Sequence, residues 1–156
     1  MGFVEAVGVC FEKYATFSGR ARRSEYWFFF LFGFLASIVT GIFDYAIFDG
    51  EVRPISGLLG LATFLPSLAV AVRRFHDIDV SGWWLLAPFG VFLIALLMIF
   101  DGPITAVIGL LATLGSTIWI FSWMSKKGTF GPNTYGPDPI ERFVVPDTGR
   151  PLRRAA

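Results

Sequence analysis

Histidine and cysteine each occur once in the 156 residues, and charged residues make up only 16% of the chain. A single cysteine excludes an intramolecular disulfide. A single histidine excludes a His-x-x-x-His metal pair. The formal net charge of +1 excludes a bulk polyanion binder, so any electrostatic message lies in where the charges sit. No signal peptide is expected: the start lacks a basic cluster, and Glu5 and Glu12 interrupt what would be its apolar region. Val9 stands where a lipoprotein site at Cys10 wants a small residue. Ala6 stands where N-myristoylation wants Ser or Thr. The longest absence is within four stretches, 26–43, 55–72, 83–100 and 103–124, which contain no Asp, Glu, Lys, Arg or His at all.

What fills those stretches is apolar. Hydrophobic residues make up 54% of the chain, and the mean hydropathy is +0.64. Each stretch has about the 18 to 22 residues that a bilayer crossing needs. In lipid each must satisfy its own backbone, so helix is the expected form. The expected fold is an all-α integral membrane protein: a four-transmembrane-helix bundle forming one domain over 1–139, with a flexible, turn-rich cytoplasmic tail over 140–156. Phe3, Val7, Cys10, Phe11 and Tyr14 recur at helical spacing and predict an N-terminal amphipathic interfacial helix. Ser81 is expected to N-cap the third span. In the tight hairpin Asp101-Gly102-Pro103, Asp101 is expected to cap the fourth, with Pro103 in its first turn. Pro66 predicts a kink in the second.

Basic residues set the expected orientation. Lys13, Arg20, Arg22 and Arg23 precede the first span, Arg73 and Arg74 follow the second, and Lys126, Lys127, Arg142, Arg150, Arg153 and Arg154 follow the fourth. Only Arg53 lies in a loop on the other side, beside Asp44, Asp49 and Glu51. Both termini are therefore expected in the cytoplasm. Trp27, Trp83, Trp84 and Trp123 fall at the same level and read as interface anchors. Two ladders of small residues, Gly33/Ser37/Gly41 and Thr63/Ser67/Ala71, are candidates for close helix packing, inside the bundle or in a homo-oligomer.

Three polar segments converge on the basic face. They read F-S-G-R-A-R-R-S-E-Y-W from Phe17, R-R-F-H-D-I-D-V-S-G-W-W from Arg73, and G-P-N-T-Y-G-P-D-P from Gly131. In this order and spacing the chain resembles the domain-of-unknown-function 805 family, the YhaH-like small bacterial inner-membrane proteins, from about Tyr14 to Pro139. The resemblance implies a multi-spanning fold in the bacterial plasma membrane and brings no activity with it. The chain departs from the family pattern at Asp79 and Val80, where a glycine and a basic or polar residue commonly follow the His-Asp pair.

Several readings of these residues stand side by side. In a purely structural one, Glu25 pairs with Arg22, Asp77 pairs with Arg73 or Arg74, and His76 caps a helix end. In an anion-site reading, Arg20, Arg23, Arg73 and Arg74 surround an anionic lipid headgroup while Glu25 and Asp77 orient them. A protein partner is the other candidate for this cap. A metal-assisted enzyme would use His76, Asp77 and Asp79, completed by Asn133 and Asp138. An oligomeric carrier of a non-ionic solute is a further alternative, since no span holds an ionisable group. No cofactor or nucleic-acid-binding pattern is present. The working expectation is a non-enzymatic membrane module with an Arg-rich cap.

Overall fold

The computed structural model describes residues 1–140. The basic tail beyond Ile140, with Arg142, Arg150, Arg153 and Arg154, lies outside the described residues. α1 (Phe3–Glu12) is followed by α2 (Arg23–Phe48) and α3 (Pro54–Asp77). A 3-10 turn over Gly82–Leu86 opens the third span, which continues as α4 (Ala87–Met98) and closes in a second 3-10 turn, Ile99–Asp101. α5 (Pro103–Ser125) is the fourth span. Four helical segments of 20 to 26 residues are thus long and apolar enough to cross a membrane. The architecture is all-helical, as the apolar stretches require.

The spans form two hairpins. α2 packs along α3, and α4 packs along α5. The hairpins join at the basic end, where Phe75, Ile120 and Met124 form a small buried core flanked by Tyr26, Trp27, Val80 and Trp123. α1 is amphipathic and lies against the first hairpin. Its Ala6 and Cys10 face inward, and Phe3 and Phe11 meet Phe28 and Phe29 edge-on at 5.9 and 5.6 Å between ring centres.

The first span runs past Phe43 to Phe48 and so carries Asp44 within it. This residue is buried inside α2 rather than placed in the loop. Its carboxylate accepts from the backbone N–H groups of Ile55 and Ser56 at 2.9 and 2.8 Å. α3 has no capping side chain of its own, so its orphan N-terminal donors are satisfied from the neighbouring helix. Burial of an acidic group here needs those donors.

The expected cap of the fourth span is corrected. Asp101 lies in the 3-10 turn, and Gly102, at φ 136, occupies the N-cap position with no side-chain cap. Only glycine adopts that φ readily, and Pro103 demands an extended residue before it. Thr105 ties the hairpin instead, donating to the carbonyls of Met98 and Gly102. Ser81 does act as an N-cap, accepting from Trp83 N–H at 3.4 Å, although the helix it starts is a 3-10 turn.

The close helix approach in the second hairpin uses Gly109, where an added Cβ would lie 2.9 Å from the Ala95 backbone. Gly33 and Gly41 of the α2 ladder face open space within the chain.

Candidate functional site

The three polar segments do meet at one end, and they interlock. Residues 18–22 cross the end of α3, and residues 128–139 fold back over it from the end of α5. Asp77 is the centre. Arg20 holds its Oδ1 through Nε at 3.0 Å and Nη2 at 2.9 Å. Arg74 holds Oδ2 through Nη1 at 2.6 Å. The remaining donors of Arg20 reach the carbonyls of Gly131 and Thr129, both at 2.6 Å. Those of Arg74 reach the carbonyls of Met124, at 2.9 Å, and Lys126. All three side chains are at least 96% buried. One carboxylate therefore binds two guanidiniums whose planar forks also gather four backbone carbonyls from the last turn of α5 and the segment after it.

Arg73 points to a different partner. It pairs with the buried Glu25 of α2, while its Nε and Nη2 have no hydrogen-bond partner among the described residues. The expected Glu25–Arg22 pair is therefore absent. Glu25 faces the α3 surface rather than the preceding turn, and Arg22 donates to the Pro139 carbonyl at 2.6 Å. Arg23 is exposed and reaches the Ser125 carbonyl at 3.3 Å.

α3 ends in a Schellman motif. Val80 N–H reaches Phe75 O and Asp79 N–H reaches His76 O, both at 3.1 Å, with Asp79 left-handed at φ 58. Asn133 and Thr129 complete this end, donating to the carbonyls of His76 at 2.8 Å and Asp77 at 3.2 Å through their side chains. Thr129 N–H also reaches Asp77 O, at 2.8 Å. His76 joins the linker through Nδ1, 3.2 Å from Gly19 O, and its ring stacks on Tyr135 at 3.9 Å with planes 5° apart. Gly128 passes so close that an added Cβ would lie 2.1 Å from Asp77 Oδ2. That close approach was not evident from the sequence, where Gly128 reads as one more turn residue.

This geometry redistributes the predicted site residues. Arg20, Arg73 and Arg74 are committed internally, and of the predicted four only Arg23 stays exposed. The metal set does not assemble: both Asp77 oxygens face arginines, and Asp79 turns to Thr134 N–H at 3.3 Å. Among the described residues, no three His, Cys, Asp or Glu side chains converge on a metal position. Of the tryptophans, Trp84 and Trp123 join Trp119 in one cluster, Trp27 packs on Phe121, and Trp83 stays 79% exposed. Cys10 is buried on the inner face of α1, and burial, reinforced by the Glu25 carboxylate and partly offset by Arg73, pushes its thiol up to about 12. Its surroundings are thus the opposite of the exposed, electropositive ones that activate a cysteine.

Four apolar helices under an interlocked polar cap define a small integral membrane protein. The chain belongs to the family described as protein of unknown function (DUF805), whose model matches residues 14–137. Inner membrane protein YhaI of Escherichia coli (strain K12) is 38% identical over 128 residues, covering 82% of this chain and 89% of that one. Inner membrane protein YhaH of the same strain is 35% identical over 131 residues, covering 82% and 90%. No solved structure matches the chain. The matched region begins at Tyr14 and closes two residues short of Pro139, so it takes in all four spans and nearly all of the interlocked polar segments.

Proposed function

We propose that this chain is a non-enzymatic module of the inner membrane. Its basic end faces the cytoplasm and recognises anionic phospholipid headgroups through Arg22 and Arg23. The observation that carries this reading is a cavity of about 380 Å³ beside the start of α2, lined by Arg22, Arg23, Ser24, Asp77, Gly128 and Ile140. α2 has no capping side chain, so its first N–H groups and the positive end of its dipole add to the two guanidiniums. Lys126 and Lys127, exposed just past α5, immediately precede the lining residue Gly128. Asp77 does not repel an anion strongly here, because two arginines already neutralise it. The cytoplasmic orientation rests on the asymmetry of basic residues and on the inner-membrane names of the relatives.

The test is native mass spectrometry of the full chain in mild detergent with added phosphatidylglycerol, using phosphatidylcholine as the control. Retention of phosphatidylglycerol is expected to fall about tenfold in Arg22→Ala/Arg23→Ala, the loss of one or two charge-assisted hydrogen bonds. Equal retention by the double variant, with its thermal unfolding unchanged, would remove the headgroup reading.

A further inference from the structure

A second cavity lies on a different face of α3 and has a different chemistry. It encloses about 490 Å³ and is lined by Leu68, Val72 and His76 along one stripe of α3, by Ser81 and Trp83 of the opening turn of the third span, and by Tyr135. Leu68 to His76 spans about 12 Å along the helix axis. The lining is almost wholly apolar along that length and carries no carboxylate, lysine or arginine. Its few polar groups, His76, Ser81 and Tyr135, come from the basic end of α3 and the segments beside it. Gly82 holds the wall close to α3, since an added Cβ would sit 2.7 Å from Val72 Cγ1.

His76 gives this cavity a direction. Nδ1 faces the Gly19 carbonyl, which can only accept, so Nδ1 carries the proton. In the uncharged imidazole, the dominant form at neutral pH, Nε2 is then a lone-pair acceptor. The stacked Tyr135 ring holds the imidazole plane in place. A charged headgroup would be desolvated here without a counter-charge. A hydroxyl can donate to Nε2 and lay an apolar chain along Val72 and Leu68. α3 meets the third span mainly through the turn over Gly82–Leu86, so the space below that turn opens towards lipid between the two hairpins.

We propose that this cavity binds an uncharged, hydroxyl-headed lipid, with the hydroxyl donating to His76 Nε2 and the chain lying against Val72 and Leu68. The site is separate from the Arg22/Arg23 cavity and does not depend on it. The test measures binding of n-dodecanol, dodecyl methyl ether and dodecyl phosphate to the full chain in phosphatidylcholine nanodiscs. The ether matches the chain but has no O–H to donate. Dodecanol is expected to bind saturably and about tenfold more tightly than the ether. In His76→Phe, which keeps a ring against Tyr135 but removes the acceptor, the two are expected to bind equally. Leu68→Trp is expected to exclude both, and Arg22→Ala/Arg23→Ala to change neither. Equal binding of alcohol and ether by the unaltered chain would overturn the proposal, as would tighter binding of dodecyl phosphate. A preference for the alcohol that survives in His76→Phe would overturn it as well, even if Leu68→Trp failed to fold.

Discussion

Asp79 sits at φ 58, in the one position of the α3 terminus that requires a left-handed residue. The Schellman hydrogen bonds make this a position that favours glycine, because a Cβ in this region is strained. Aspartate tolerates the conformation better than most residues and gains a long contact to Thr134 N–H. Val80, the second departure, packs against the cluster of Phe75, Ile120 and Met124, in keeping with the apolar contact that often accompanies this motif. Asp79→Gly is therefore expected to stabilise the chain by about 1 kcal/mol, read as a higher midpoint of thermal unfolding in detergent. An unchanged or lower midpoint would mean that the Thr134 contact outweighs the strain. The departure was visible in the sequence; its cause was not, because a backbone dihedral cannot be read from side-chain chemistry.

At the scale of elements, the kink expected at Pro66 has a consequence on another helix. Proline has no N–H, so the Ala62 carbonyl loses its intrahelical donor. Tyr14, just past α1, supplies one: its hydroxyl donates to Ala62 O at 2.9 Å. An unsatisfied carbonyl among apolar helices is costly, so this contact docks the N-terminal segment at a defined point of α3. Tyr14→Phe is expected to cost about 1 kcal/mol. In a Pro66→Ala background, where residue 66 regains its N–H, the same change is expected to cost markedly less. A double-mutant cycle measured by denaturant titration checks this, and additive costs would dissociate Tyr14 from the proline. Asp44 follows the same logic at the far end of the hairpin, where α2 caps α3. Both partnerships join residues more than ten positions apart, which helical periodicity alone cannot pair.

For the molecule as a whole, the cap is what holds two hairpins and three polar segments together. Asp77 touches Arg20 from the linker and Arg74 from its own helix, and those two arginines collect the chain leaving α5. Asp77→Asn would leave two buried guanidiniums without their shared counter-charge, a change expected to cost about 3–5 kcal/mol. The folded yield in mild detergent, scored by size-exclusion profile, should collapse. By contrast, Arg22→Ala/Arg23→Ala should leave the profile intact while lipid retention falls. A monodisperse Asp77→Asn protein of unchanged thermal midpoint would show that the arginines hold the cap without their shared carboxylate.

Four spans, their helical form and the gathering of polar motifs at one end were legible in the linear order of residues. Apolar length and the scarcity of ionisable groups leave few other ways to satisfy a backbone in lipid. Tertiary structure alone decided which charges are spent inside. Arg20, Arg73 and Arg74 look like Arg23 in sequence, but buried carboxylates hold the first three, while Arg23 stays exposed with only a 3.3 Å contact to the Ser125 carbonyl. The pairing of Glu25 with Arg73 depends on how α2 packs along α3, and the approach of Gly128 to Asp77 and the two cavities depend on how the chain beyond α3 folds back on that hairpin. Docking is set by contacts between residues far apart in the chain, which local periodicity and charge patterning do not record.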